Sequence, residues 1–101
     1  MATLYVTEFS DEGQSVRGAI QIAAEPELAS QTVSITGSNA ASAAFNAATI
    51  YVRIHTDAIC SIAFGTTPVA TAAKRRLAAD QTEYFGVPVG GSYKVGVILN
   101  T

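Results

Sequence analysis

Apolar and polar residues alternate with a period of two along much of the chain, which is the pattern of a β-strand with one buried face. In residues 50–55, isoleucine and valine occupy the even positions, and Tyr51, Arg53 and His55 occupy the odd ones. Glycine, proline, asparagine and aspartate separate such segments from one another. The pattern predicts strands at residues 3–9, 16–24, 31–36, 50–55, 59–64, 77–79, 82–87 and 92–99.

The segments between these strands predict where the chain turns. Residues 11–13, 37–39 and 56–58 carry turn-forming side chains, and the short turn at 56–58 favours a β-hairpin made of residues 50–55 and 59–64. Residues 40–48 are rich in alanine, but Phe45 is their only large apolar residue. Because so short a helix is marginal, we expect an extended loop with at most one helical turn there. Residues 65–73 are predicted to form a long loop.

Seven or eight short strands with turn signals every ~8–12 residues are typical of a sandwich or a barrel. Strands do not alternate with helical segments, as they would in a parallel α/β sheet. The chain has 101 residues, which is enough for one hydrophobic core. We therefore predict an all-β fold with a single domain over residues 1–101. The expected architecture is a β-sandwich or a jelly-roll-like barrel of seven to eight short antiparallel strands.

Charged residues are scarce, which indicates a weakly charged surface. They make up 14% of the sequence, against roughly 25% in a typical soluble domain, and the formal net charge is −2. Strand edges are usually protected from association by lysine, proline or inward charges. With few charges available, we predict that a partner protein covers some edge or face. Six lysines and arginines argue against nucleic acid as the main partner, because phosphate binding needs several convergent cations.

The sequence indicates neither a membrane protein nor a disulfide-rich one. The first residues lack a basic region followed by an apolar stretch, and no apolar run approaches the ~20 residues of a membrane span. We expect a protein that is made in the cytoplasm and has no membrane partner. Cys60 is the only cysteine, which excludes an internal disulfide and a multi-cysteine metal site.

Catalytic, metal and cofactor signatures are absent from the sequence. His55 and Cys60 are close in the chain, but alternation places His55 on the polar face and Cys60 with the apolar residues. The carboxylates are not spaced as ligands for zinc or calcium, and the glycines do not form a phosphate-binding loop with a lysine. We therefore predict no catalytic residues, no metal, no cofactor and no enzymatic activity.

Six residues are candidates for contact with a partner: Lys74, Arg75, Arg76, Tyr51, Tyr84 and Tyr93. The basic run is either a solvated or protein-contacting surface or a contact to packaged nucleic acid, and its short length favours the first interpretation. The tyrosines, together with Phe85, are either a platform on which sugars stack or aromatic anchors of the core or of an interface. We prefer the second interpretation for the tyrosines.

The second half of the chain resembles the small virion structural proteins of tailed bacteriophages, of the capsid decoration or cement type. The likeness covers residues 50–99 and rests on the order of YVRIH at 51–55, IAFG at 62–65, TTP at 66–68, an Ala/Thr-rich stretch, Leu77, and TEYFGV at 82–87. The first half contributes compatible strands without a motif of its own.

This resemblance implies a function and a location. Such a protein is a non-enzymatic β-sandwich or jelly-roll domain that binds the assembled capsid in many copies and stabilises it. Its partner is the major capsid protein, and self-association, for example as a trimer, suits the role. It is found in the virion, which assembles in the host cytoplasm. The alternative is a head-fibre, neck or tail component with a receptor- or carbohydrate-binding role.

Overall fold

Ten β-strands form the regular structure of this chain in the computed structural model, which describes residues 2–15, 18–23 and 25–100. In chain order they are β1 (Thr3–Phe9), β2 (Glu12–Ser15), β3 (Gly18–Ala23), β4 (Ala29–Ser34), β5 (Ala40–Ala41), β6 (Tyr51–Thr56), β7 (Cys60–Gly65), β8 (Arg75–Leu77), β9 (Thr82–Gly86) and β10 (Lys94–Leu99). All of them are short, and the connections between them are loops and turns.

Two four-stranded antiparallel sheets pack together as a β-sandwich. Sheet 1 has the strand order β4-β1-β6-β9, and sheet 2 has the order β5-β10-β7-β8. Strands β2 and β3 form a separate two-stranded hairpin. The predicted all-β, single-domain, antiparallel sandwich is therefore confirmed.

The hydrophobic core lies between the two sheets and follows from the alternation along each strand. Apolar side chains occupy most of the inward-facing positions of the central strands β1, β6, β7 and β10, and they are almost fully buried. They are Leu4, Val6, Val52, Ile54, Cys60, Ile62, Val95 and Val97. Full burial of one aliphatic side chain stabilises a fold by about 1.5–3 kcal/mol, so this layer is the main source of cohesion.

The predicted hairpin between residues 50–55 and 59–64 is wrong. Strand β6 pairs with β1 and β9, whereas β7 pairs with β10 and β8, so the turn between them carries the chain from sheet 1 to sheet 2. The hydroxyl of Thr56 shapes this turn, because it donates to Ala58 O at 2.6 Å and accepts from Ala58 N at 3.2 Å. Alternation identifies the buried face of each strand but not the strand with which it exchanges hydrogen bonds.

Several predicted boundaries also change. Residues 11–13 were predicted to be a turn, but β2 begins at Glu12 and includes Gly13. Of the strand predicted at 16–24, residues 18–23 form β3, and residues 16, 17 and 24 lie outside the described part of the chain. Residues 40–48 form the two-residue strand β5 followed by a loop without a helical turn. The strand predicted at 77–79 is instead β8 at Arg75–Leu77.

Candidate functional site

The outer face of sheet 2 is covered by the chain's own loop, residues 66–74. Asn39 fixes this loop, because its Nδ2 donates to Pro68 O at 3.4 Å and its Oδ1 accepts from Ala70 N at 2.7 Å. Asn100 Nδ2 donates to Ser61 Oγ at 2.7 Å beneath the same loop. Pro68 and Ala70 are buried as a result. This face is therefore closed to a partner over much of its area.

Gly96 on β10 makes the close approach of that loop possible. A Cβ atom at Gly96 would lie 3.1 Å from Asn39 Oδ1 and 3.2 Å from Pro68 O. Both distances are tighter than ordinary van der Waals contact, so a side chain there would require the loop or Asn39 to shift by a few tenths of an ångström. The absence of a side chain at Gly96 thus allows the loop to lie close against sheet 2.

The outer face of sheet 1, in contrast, is open and carries polar and aromatic side chains. The strand registers arrange them in rows across the sheet: Thr32–Tyr5–His55–Thr82, then Ser30–Thr7–Arg53–Tyr84. Tyr5 is 42% exposed and Tyr84 is 57% exposed. Two large aromatic side chains exposed on one sheet face are typical of a binding surface.

Aromatic rings continue along one end of this face. The rings of Phe9 and Tyr51 stack with their centroids 5.1 Å apart, and Tyr51 lies 6.3 Å from Tyr84. The Tyr51 hydroxyl donates to Asp11 O at 3.2 Å. Burial, followed by the negative charge of Glu12, raises the pKa of Tyr51 above its ordinary value. Tyr51 is therefore held in place, and Tyr84 is the ring that a partner can reach.

Arg53 lies beside a shallow hollow of about 440 Å³ on the same face. The hollow lies over β1 and β4, and its exposed or half-buried walls are Tyr5, Thr7, Ser30, Gln31, Thr32 and Arg53. All eight aspartates and glutamates are among the described residues, and none forms an ion pair with Arg53. A half-buried guanidinium that is not paired with a carboxylate can bind an anion by donating hydrogen bonds to it.

The two sheets meet at one side of the sandwich, where β8 ends sheet 2 and β9 ends sheet 1. There the Arg75 guanidinium carbon lies 4.8 Å from the centre of the Phe85 ring. Phe85 in turn packs on Phe64 with ring centroids 5.1 Å apart. Lys74, Arg75 and Arg76 are all exposed. We call this surface the β8–β9 edge, defined by residues 74–76 and 82–86.

Strand β9 presents unpaired backbone groups at this edge. Val87 N donates to Ile50 O at 2.9 Å, and Thr56 N donates to Gln81 O at 3.2 Å. Both bonds flank β9 and involve odd-numbered residues, so the odd-numbered residues of β9 are the ones whose backbone groups bond to β6. In an antiparallel ladder the intervening residues point their N–H and C=O groups the other way. Thr82, Tyr84 and Gly86 therefore direct their backbone groups away from β6, where the described residues form no further strand of sheet 1.

Comparison with known proteins adds no relative: no protein family, no curated protein and no solved structure matches this chain.

The structure brings some of the predicted contact residues together and separates others. Tyr51 and Tyr84 are neighbours on sheet 1, and the Arg75–Phe85 contact places the basic run at the strand that carries Tyr84. Tyr93 lies apart from them, half-buried against the core, with its carbonyl accepting from Phe45 N at 2.8 Å. Tyr93 is thus a packing residue in this fold.

Sequence reasoning missed Tyr5 and the central position of Arg53. The alternation did mark both as outward-facing, but their proximity depends on the pairing of β1 with β6, in which Tyr5 is opposite His55 and Thr7 is opposite Arg53. Such long-range pairing leaves no local signal in the sequence. The strand pairing therefore supplies the part of the site that the sequence could not.

His55 faces outward from sheet 1, whereas Cys60, on β7 of sheet 2, faces the core, so the two side chains are separated as their alternation predicted. His55 Nδ1 is 2.8 Å from Thr82 Oγ1 on the outer face, whereas Cys60 is fully buried in the core. Burial raises the pKa of the Cys60 thiol above its ordinary value. In the described part of the chain no three metal-binding side chains are grouped as a metal site, and no helix has the length and apolar character of a membrane span.

Proposed function

We propose that this chain is a non-enzymatic structural protein that binds an assembled protein shell in many copies, as a decoration or cement protein of a tailed-phage capsid. The observation that carries the proposal is the β8–β9 edge, where the unpaired outer edge of β9, an exposed tyrosine and three exposed cations occur together. The viral setting rests on the resemblance of residues 50–99 to such proteins.

The unprotected state of β9 supports a partner at this edge. Exposed edge strands in monomeric proteins usually carry lysine or proline, or are bulged or covered. Strand β9 has the sequence TEYFG, with Glu83 as its single charge, and it pairs regularly with β6 over five residues. Such an edge can accept an extended segment of another chain through main-chain hydrogen bonds.

The chemistry around the edge indicates an acidic, partly apolar partner surface. Lys74, Arg75 and Arg76 form no ion pair with a carboxylate of the described residues, so their charges are available to a partner. Cations around an interface guide association and fix its orientation. Tyr84 is the side chain suited to be the central anchor, because tyrosine and arginine dominate interface energetics.

In this proposal the chain stabilises the shell by adding contact area at the junctions between shell subunits. A standard interface buries about 800 Å² on each partner, a modest share of the 5576 Å² of accessible surface of this chain. A contact of that size centred on the β8–β9 edge would leave most of the surface of the chain exposed. Repeated over the symmetric copies of a shell, moderate contacts resist outward pressure on the lattice. The partner would be the major capsid protein, with self-association at a symmetry axis compatible with the same role.

Reconstitution tests the role of the edge. Particles that lack this chain are mixed with the purified protein, and the bound fraction is measured after sedimentation. Arg76→Glu and Tyr84→Ser are expected to lower particle affinity by tenfold or more, whereas Lys94→Glu, with the same charge change on β10, retains it. Equal binding by all three variants would remove the β8–β9 edge from the proposal.

A second candidate function is the receptor- or carbohydrate-binding role of a head-fibre, neck or tail component. The observation that favours it is the open outer face of sheet 1, where Tyr5 and Tyr84 flank Arg53. This face meets the β8–β9 edge at Tyr84, while Tyr5 and Thr7 on β1 belong to the face alone, so variants at Tyr5 test this second role apart from the first.

A further inference from the structure

We infer that the hollow on the outer face of sheet 1, between Tyr5 and Arg53, binds a small sugar acid, a saccharide unit with a carboxylate such as a uronic acid. This inference does not depend on shell binding, because the hollow lies over β1 and β4 and the β8–β9 edge lies beyond β6.

The charge at the hollow selects an anion. Arg53 is half-buried, and none of the chain's described carboxylates pairs with it. A planar guanidinium forms two parallel hydrogen bonds with a carboxylate, which is the strongest recognition that a single side chain offers to such a group. Its half-buried position reduces competition from water. We therefore place the ligand carboxylate at Arg53.

The rest of the hollow matches a sugar ring. Thr7, Ser30 and Thr32 provide three hydroxyls, each able to donate and to accept hydrogen bonds with sugar hydroxyls. Tyr5 provides an exposed aromatic face against which the C–H side of a sugar can stack. Ser30 Oγ already donates to Glu27 Oε2 at 3.0 Å, which places a negative charge at that rim and leaves the Arg53 side as the position for the carboxylate.

The size and surroundings of the hollow limit the ligand to one or two sugar units. A volume of about 440 Å³ lies at the lower end of the range for small-molecule sites. Along β6 the next outward residue after Arg53 is Tyr51, whose surroundings carry the charges of Asp11, Glu12 and Glu25. A long polyanion such as nucleic acid would meet this acidic end. The geometry therefore favours a compact acid over a polymer with a charge on every unit.

A titration followed by NMR tests the inference directly. The ¹⁵N-labelled chain is titrated with methyl β-D-glucuronide and methyl α-D-galacturonide, with methyl β-D-glucoside as the neutral control and acetate as the carboxylate without a sugar ring. At least one uronide is expected to give saturable shifts centred on the amides of Tyr5, Thr7, Thr32 and Arg53. The glucoside and acetate are expected to bind at least tenfold more weakly.

Variants separate recognition from general loss of structure. Arg53→Gln and Tyr5→Ser are each expected to lower uronide affinity at least tenfold while the amide spectrum stays dispersed. Arg76→Gln removes a cation at the β8–β9 edge and is expected to leave uronide binding unchanged. If Arg53→Gln unfolds the chain, Arg53→Lys, which keeps the charge but loses the bidentate geometry, takes its place with the same expected loss.

Three results would overturn the inference. They are no saturable shift with either uronide, equal binding of acetate and uronide, and tighter binding at this hollow of a Glu/Asp-containing peptide than of either uronide. The last result would make the hollow a protein-binding site. None of them changes the outcome of the particle-binding experiment, which depends on Arg76 and Tyr84, so failure of this inference and failure of the proposed function are distinguishable.

Discussion

The guanidinium of Arg75 lies 4.8 Å from the centre of the Phe85 ring, so the edge strand of one sheet covers an aromatic side chain of the other. A single basic run is thereby divided between two tasks. Arg75 contributes to the closure of the sandwich, because its side chain packs over Phe85. Arg76, the next residue along β8, lies on the other face of that strand and is exposed.

This division predicts different effects of two neighbouring substitutions. Arg75→Ala removes the cation–π contact and the cover over Phe85, so we expect the free energy of unfolding to fall by about 0.5–2 kcal/mol. Arg76→Ala removes no such contact, so its free energy of unfolding should stay within about 0.5 kcal/mol of that of the parent chain. Urea unfolding of the two variants measures both values. Equal stabilities would show that the Arg75–Phe85 contact contributes nothing.

Glu8 is expected to be the most sensitive polar residue of the fold. It is only 3% exposed, and its Oε1 accepts from Asn46 N at 2.7 Å and Thr49 Oγ1 at 2.9 Å, while Oε2 accepts from Gln31 Nε2 at 3.2 Å. Glu8→Ala leaves Asn46 N and Thr49 Oγ1 without an acceptor, whereas Gln31 Nε2 keeps its bond to Ala43 O, and we expect a cost of about 3 kcal/mol or more. Chemical denaturation of this variant measures the loss.

Glu8→Gln provides the matched comparison for that residue. The amide oxygen can keep both bonds to Asn46 and Thr49, but its NH₂ group then faces the NH₂ group of Gln31. Gln31 cannot simply reverse its amide, because its Oε1 accepts from Ala43 N at 2.9 Å. We expect an intermediate loss of about 1–2 kcal/mol. A Glu8→Ala variant as stable as the parent chain would contradict this role for the carboxylate.

The position of the loop over sheet 2 is expected to depend on the small size of Gly96. A methyl group there would approach the backbone oxygen of Pro68 at 3.2 Å, so Gly96→Ala should displace the loop and lower stability by about 1–3 kcal/mol. Gly37→Ala is the control, because no atom lies within 4 Å of a Cβ at Gly37. Thermal unfolding and limited proteolysis within residues 66–74 report the effect. Equal protease resistance of the two variants would exclude the steric role.

The burial of the Cys60 thiol predicts how the stability of the fold changes at alkaline pH. Burial raises its pKa in the folded chain above the ordinary value of 9.0, so the folded state holds this proton more tightly than the unfolded state. The stabilising contribution is complete below pH 9.0 and is lost as pH rises through the raised pKa. Stability should therefore fall with pH in that range, and the fall should be smaller in Cys60→Ala.

Two measurements check this prediction. Urea unfolding at a series of pH values should give a steeper decline for the parent chain than for Cys60→Ala. An aromatic disulfide reagent should label Cys60 only after unfolding, because the side chain is fully buried in the native state. Rapid labelling of the native chain at neutral pH would contradict the buried position.

The strand faces could be predicted from the sequence, but the strand partners could not. Ile54 and Ile62 were both recognised as inward-facing, and both are buried in the core. They were expected in one hairpin, yet they belong to opposite sheets, because an inward-facing isoleucine is buried equally well by either arrangement. A short turn such as residues 57–59 is compatible with both, and the choice depends on contacts of β6 and β7 with strands distant in the chain.

The candidate site shows the same limit. Tyr84 and Arg76 stood out as an aromatic residue and a cation on predicted strands or loops, and both are exposed in the structure. Arg53 gave no such signal, since its importance comes from Tyr5 and Thr7 on a strand that precedes it by many residues. Likewise the close packing of the loop of residues 66–74 on sheet 2 depends on Gly96, whose missing side chain leaves room for it.

The central claim, that this chain decorates a protein shell, is tested most directly by its copy number. Quantitative mass spectrometry of purified phage particles measures the ratio of this chain to the main shell protein. A ratio near a simple fraction of the shell copies is the result that the proposal predicts. A handful of copies would assign the chain to the neck, tail or a fibre, and its absence from particles would contradict the viral role altogether.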